Sequence, residues 1–248
     1  MNLNLQPESW PSFDINHNIG HDAYQYNIPH FSYDAKPLLN AFELSLPKSS
    51  WTSILGPSGI GKTTILRLIA GFIPDFQSNQ NLKIAYLPQS ELLLPWAKAI
   101  DNVLIGNKIK NNQNKKDNKD KAIQIFEKLG LVDYMSYYPH QLSGGMKQRI
   151  QIARVLLEDA DLVLMDEPFS QLDALTRIEA NTFAKNCLKD KTILLVTHDP
   201  MEALRLSDQI LILDGKPANI KDQLFLTEAD KHRPELIHEL YKKLGVNL

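Results

Sequence analysis

Cysteine is nearly absent: Cys187 is the single one in 248 residues. That excludes an intrachain disulfide and a metal site built from several thiolates, and it suits a reducing compartment. The thiol reads as buried or half-buried with no chemical role. An excess of one charge is also missing, since 27 Lys and Arg face 29 Asp and Glu for a net −2. No global positive field therefore recommends nucleic acid as a partner, and any contact with a membrane must be local. Apolar runs approaching the ~18–20 residues needed to cross a bilayer do not occur. The first twenty or so residues, rich in Asn, Pro and Ser, lack the apolar stretch of a signal peptide. The expectation is a soluble cytosolic chain. With 43% apolar content its length can bury one large core, or a core with a small inserted lobe, but not two such units. There is no internal repeat.

Residues 1–23 show no sustained period and are expected to form an extension ahead of one domain over 24–248. Tyr24–Ile28 and Phe42–Leu46 alternate as half-exposed antiparallel strands do. Trp51–Leu55 is a short strand entering Gly56-Pro57-Ser58-Gly59-Ile60-Gly61-Lys62-Thr63, and Thr63–Ala70 has helical apolar spacing at Ile65, Leu66, Leu68 and Ile69. Strand, glycine-rich loop and helix thus come in the order a phosphate-binding loop requires. Two unalternating runs, Leu162–Met165 and Ile193–Val196, are expected as strands buried on both faces of a parallel sheet. Each runs at once into polar residues, which puts Asp166 and His198 at strand C-terminal ends, where open α/β sheets bind ligands. Asn107–Lys121, almost without apolar residues after Ile109, reads as a solvated face or mobile connector. Ile123, Ile125, Phe126, Leu129 and Leu131 then predict a helix ended by Gly130.

The loop chemistry follows from what a triphosphate demands. Glycines let backbone N–H groups from Gly59 to Thr64 approach a β-phosphate without Cβ clashes, Lys62 adds a mobile cation, and the Thr63 hydroxyl can ligate Mg²⁺. Asp166, after four apolar residues, is placed to hold the hydration shell of that ion. Glu167 beside it is placed to orient the water that attacks a γ-phosphate. Leu142-Ser143-Gly144-Gly145-Met146 repeats the logic of the first loop, with a serine hydroxyl and glycine amides opening a helix through Gln148, Ile152 and Ala153.

The two loops in this order, with Asp166-Glu167 and His198 behind them, resemble the ATP-binding-cassette (ABC) family over about Tyr24 to Leu213. The resemblance implies a P-loop, RecA-like α/β core with an antiparallel β subdomain and a helical subdomain inserted at about 92–159. It also implies ATP and Mg²⁺ as cofactors. Gly56, Pro57, Ser58, Gly59, Gly61, Lys62, Thr63 and Thr64 would cradle the phosphates, and Tyr33, with Phe31 as its rival, would stack on adenine. Thr63, Gln89 and Asp166 would hold the metal. Gln89, after the strand Ile84–Pro88, resembles the family's Q-loop glutamine, and His198 its switch histidine. Ser143, Gly144, Gly145 and Asp173 would reach ATP held by a second copy of the chain, so that ATP joins a dimer. Gln171 departs from the alanine frequent at its position.

Glu91-Leu92-Leu93-Leu94-Pro95-Trp96, followed by Asp101-Asn102-Val103, looks like importers of nitrate, sulfonates, taurine and thiamine-precursor pyrimidines. The short segment from Gly71 to Gln89 most resembles the hydroxymethylpyrimidine branch. Such a subunit would work at the cytoplasmic face of the inner or cell membrane. Its load would be an integral membrane permease, and a periplasmic or surface solute-binding protein would be an indirect partner. Nucleic acid would play no part. An iron–sulfur assembly ATPase is the rival by length. The segment from Asp214 to Leu248 is too short for a separate regulatory domain.

Overall fold

The computed structural model describes residues 22–73, 82–90, 92–109 and 115–244. The expected N-terminal extension, save its last two residues, lies outside the described residues, as does 74–81 of the short Gly71–Gln89 connection.

Five parallel strands carry the molecule: β5 (Trp51–Leu55), β6 (Ile84–Leu87), β7 (Leu162–Asp166), β8 (Thr192–Val196) and β9 (Gln209–Asp214). They lie in the order β9-β5-β8-β7-β6, with β10 (Asn219–Phe225) antiparallel outside β9. Every residue of β5, β7 and β8 is buried, which is why these runs show no alternation. Edge strand β6 alternates half-buried and buried positions.

Helix α1 (Lys62–Ile69) lies on one face of this sheet, beneath a small antiparallel layer. In that layer β1 (Ala23–Ile28) pairs with β4 (Phe42–Pro47), Tyr26 opposite Leu44. Strands β2 (Phe31–Tyr33) and β3 (Lys36–Leu39) form a hairpin turned at Asp34 and Ala35, both with positive φ. Leu44, Leu46, Ile65, Leu66, Leu164 and Leu194 close the core between the layers. Each such side chain, fully buried, contributes about 1.5–3 kcal/mol.

The other face is covered by α4 (Gly144–Glu158) and α5 (Ala174–Cys187). Helix α4 serves two cores because its apolar residues fall on two stripes. Ile152 and Val155, three apart, meet the sheet residues Val163 and Met165. Ile150 and Ala153, also three apart, meet α2 (Ala99–Ile109) and α3 (Lys115–Lys128) through Val103 and Phe126. Beyond β9 the chain completes the same molecule: α7 (Pro234–Lys243) packs Leu236 and Leu240 with Ala203 and Leu204 of α6 (Pro200–Leu206), over Leu55 and Ile210.

The Asn- and Lys-rich run is not a connector along its whole length. Helix α2 reaches Ile109 and α3 starts at Lys115, with residues 110–114 outside the described part. Lys116, Asp117 and Lys121 are exposed, as a solvated face should be, and Asp117 pairs with Lys121 one turn on at 2.9 Å. The first turns lack apolar residues, so no 3.6 period announces them; Ala122 and Phe126, fully buried one turn apart, anchor the helix. It ends as expected, with the Leu131 N–H closing on Phe126 O at 2.9 Å past Gly130.

Candidate functional site

The phosphate-type loop turns from β5 into α1. Gly61 has φ 113°, and a Cβ there would stand 2.6 Å from Leu39 Cδ2 of the β2–β3 hairpin, so only glycine fits. Helix α1 begins without a side-chain cap, which leaves its first-turn N–H groups for an anion. Pro57, Ser58 and Gly59 form an exposed rim. Lys62, only 5% exposed, donates to Gly56 O at 2.7 Å and Pro57 O at 2.9 Å. Burial pushes its ammonium below the ordinary lysine range, with the nearby carboxylates of Glu167 and Asp166 acting in the opposite sense.

At the end of β7 the Thr63 hydroxyl donates to Asp166 Oδ1 at 2.9 Å, and the Tyr86 hydroxyl donates to Asp166 Oδ2 at 3.0 Å. Burial, and next the Asp166 charge, push the Tyr86 phenol up to about 12, so it stays a donor. Glu167 holds a left-handed φ of 46°, fixed by its N–H on Val196 O at 2.9 Å and by Ser170 Oγ donating to its carbonyl at 2.8 Å. Its carboxylate accepts from Gln89 Nε2 at 3.1 Å and meets His198 Nδ1 at 3.0 Å, both on Oε2. Lys62, Thr63, Asp166, Glu167, Gln89 and His198 therefore converge from α1 and from the ends of β6, β7 and β8.

The residues present fit Mg²⁺. The Thr63 hydroxyl and Asp166 carboxylate are hard oxygen donors already in contact. Among the described residues no group of three or more His, Cys, Asp or Glu side chains could hold a metal by itself. An ion held by these two residues would take the rest of its shell from phosphates and water.

The second glycine loop lies on another element, and no hydrogen bond among the described residues joins it to the first. Ser143 caps α4, accepting from the Met146 N–H at 3.3 Å. A Cβ at Gly144 would come within 3.0 Å of Leu172 Cδ2, and one at Gly145 within 3.2 Å of Thr176 Cγ2. These glycines thus also let α4 pack against α5 and the loop before it. Asp173 caps α5 through the Thr176 N–H at 3.0 Å, and the Thr176 hydroxyl, then this N–H, hold its carboxyl below the usual range. Tyr33 is 48% exposed, while Phe31 packs into the core edge-on to it at 4.9 Å. Cys187 is partly buried, which raises its thiol pKa.

Two side chains here were not singled out from sequence. Tyr86 stood only as part of a strand. Arg177 donates to Ser170 O and Leu172 O and pairs with Asp199 at 3.5 Å, tying the segment after Glu167 to the one after His198. Both depend on long-range placement that no local spacing encodes.

Comparison with known proteins agrees with this geometry. The ABC transporter family profile matches residues 39–170. An ABC transporter ATP-binding protein of Haemophilus influenzae is 41% identical over 73% of this chain and 78% of its own length. The aliphatic sulfonates import ATP-binding protein of Paracoccus denitrificans is 36% identical over 87% and 90%. The taurine import ATP-binding protein of Yersinia pestis is 35% identical over 81% and 83%. A solved structure described as an inward-facing conformation of a metal-chelate type ABC transporter shares the fold, with a TM-score of 0.71 and 24% identity over 89% of each chain. A family match over more than half of the chain, joined to the convergence of Lys62, Asp166, Glu167 and His198, places this protein in the ABC transporter family as an ATP-binding subunit with ATPase activity.

Proposed function

We propose that the chain is the motor of an importer. Two copies close around two ATP molecules, and the closure drives a membrane permease supplied by a solute-binding protein outside the membrane. The observation that carries the chemistry is the Glu167 carboxylate, held by Gln89 and His198 beside the Lys62 loop. Gly56 to Gly59, Gly61 and Thr64 line the triphosphate with backbone groups, Lys62 bridges its outer phosphates, and Tyr33 stacks on adenine. Thr63, Asp166 and Gln89 would hold Mg²⁺, which would supply charge neutralisation for the phosphates. Glu167 orients the attacking water, and His198 holds both Glu167 and the γ-phosphate. Ser143, Gly144, Gly145 and Asp173 face the nucleotide of the second copy.

The permease site we assign is the groove beside Gln89, lined by Tyr86, Pro88, Leu92, Gln151, Arg154 and Glu158. Leu92 in that lining is 54% exposed and Trp96, four residues on, is 74% exposed, whereas Leu93 is core and Leu94 half-buried. The expected apolar floor of Leu92, Leu93, Leu94 and Trp96 is thus split, and charging Leu93 would test folding instead of docking. Buried Asn102 fixes this loop, accepting from Leu94 N at 2.7 Å, while Arg154 donates to Leu92 O at 3.2 Å. No helix among the described residues is long and apolar enough to cross a membrane, so the cytoplasmic-face location we propose depends on this contact. The named relatives favour a sulfonate such as taurine as the solute. Hydroxymethylpyrimidine rests on the short 71–89 segment.

The test combines two measurements. Glu167→Gln with Mg-ATP should elute as a dimer in size-exclusion chromatography, and Trp96→Asp should bind ATP normally yet fail to co-purify with its permease. A monomeric Glu167→Gln that hydrolyses at the parental rate would refute the role of Glu167. Full transport by Trp96→Asp would refute the docking site, and a stable complex with iron–sulfur assembly proteins would favour the rival class.

A further inference from the structure

Tyr86 sits on the edge strand β6, where an aromatic side chain ordinarily signals packing. Its ring does pack, with Phe72 edge-on at 5.3 Å. Its hydroxyl has another use. It donates to Asp166 Oδ2, while Thr63 donates to Oδ1, so the two oxygens of one carboxylate, on a residue 6% exposed, are gripped by two different elements. The parallel pairing of Tyr86 with Leu164 and of Leu87 with Met165 sets the height at which the phenol meets the end of β7.

The two donors are not equivalent. The Thr63 hydroxyl donates its proton to Oδ1 and would at the same time offer its lone pairs to an ion bound at the phosphate loop, so its position would answer to that ion as well as to Asp166. The Tyr86 hydroxyl has no such duty. A carboxylate with one oxygen permanently occupied presents the other in one orientation, the arrangement outer partners impose on metal ligands in general.

We propose that Tyr86 is a positioning residue for Mg²⁺, holding Asp166 in the rotamer that receives the ion. The proposal rests on the reading of Asp166 as the carboxylate that holds Mg²⁺, and its test separates the two. ATP binding is measured by titration calorimetry in EDTA and across a Mg²⁺ series for the parent, Tyr86→Phe and Asp166→Asn. Thermal melts of all three accompany the titrations. Tyr86→Phe keeps the ring and removes one hydroxyl. It should bind ATP in EDTA within twofold of the parent and need about 10-fold more Mg²⁺ to reach its full affinity, with a melting temperature within about 2 °C. An unchanged Mg²⁺ requirement in Tyr86→Phe, with Asp166→Asn losing the response to Mg²⁺, would overturn the role of Tyr86 and leave that of Asp166 standing. A normal response in both variants would overturn both. Equal losses in EDTA and in Mg²⁺ for Tyr86→Phe would show a packing role and overturn the proposal.

Discussion

At the N-terminal end of the central strands, Asp208 accepts from the Trp51 N–H at 2.9 Å and pairs with Lys185 at 3.2 Å and Lys231 at 3.1 Å. Lys185 also donates to Leu206 O and lies over the Trp51 ring, while Lys231 reaches Glu228. Every charge in that cluster has a protein partner of opposite sign. At the C-terminal end of the same strands Lys62 bonds only loop carbonyls, although Asp166 and Glu167 stand near it, and Glu167 occupies a left-handed backbone. Charges already paired within the fold are occupied there, and breaking one leaves its partner uncompensated, whereas an ammonium held by carbonyls is available to an anionic ligand. The two ends can be told apart by mutation: the first should respond in stability, the second in binding.

The largest effect should come from Lys62→Ala. Its ammonium is buried and its pKa depressed, mainly by burial, so removing it should cost the fold little while deleting the cation we propose for the phosphates. ATP affinity should fall about 100-fold or more, in line with losing a charged partner of a polyanion, with a melting temperature within about 2 °C of the parent. Calorimetry and a thermal melt check this together. Unfolding without loss of affinity would reverse the contrast between the two ends.

How much of this contrast was legible beforehand follows chain distance. The phosphate loop, the helix after it and the buried strands β7 and β8 are local patterns, and they stand where the residues placed them. The Tyr86–Asp166 bond spans 80 positions and needs the pairing of β6 with β7, which no local pattern states. The split of Leu93 from Leu92 and Trp96 depends on Asn102 fixing one loop conformation. The first turns of α3 escaped because a stretch that is exposed and polar, with its Asp117–Lys121 ion pair, and anchored farther on carries no apolar period. The backbone of Glu167 escaped because its φ is imposed by β8 through Val196.

At the other end the expected response is to pH. Burial opposes the charge on Asp208, but the Trp51 N–H and then Lys185 and Lys231 hold its carboxyl below the ordinary 3.8. A depressed carboxylate stabilises the fold above its unfolded pKa, and that contribution is lost as pH falls from about 4 through the folded value. Asp208→Asn should be less stable at pH 7 by about 1–2 kcal/mol, a modest figure because the side chain is 38% exposed and solvent screens it. That corresponds to roughly 2–8 °C. Melts from pH 7 to pH 3 should show a shallower acid decline in the variant, with ATP affinity at pH 7 unchanged. An identical acid limb would mean that Asp208 is not the group titrating there.

The smallest effect should have the opposite sign. Glu167 keeps φ at 46°, where a side chain costs about 1–2 kcal/mol relative to glycine. Its bonds to Gln89 and His198 return little, because the His198 side chain is 55% exposed. Glycine removes the strain but gives the unfolded chain more freedom, at a cost of about 0.5–1 kcal/mol. Alanine removes the carboxylate and keeps the strain. Glu167→Gly should therefore melt about 1–4 °C above Glu167→Ala, a net gain of about 0.5–1 kcal/mol, while both lose hydrolysis. Melts of the two variants without nucleotide isolate the backbone term, since the charge is missing from each. Equal melting temperatures would show that the left-handed turn at the end of β7 is relaxed, and that stability is not sacrificed there for the water-orienting role we propose for Glu167.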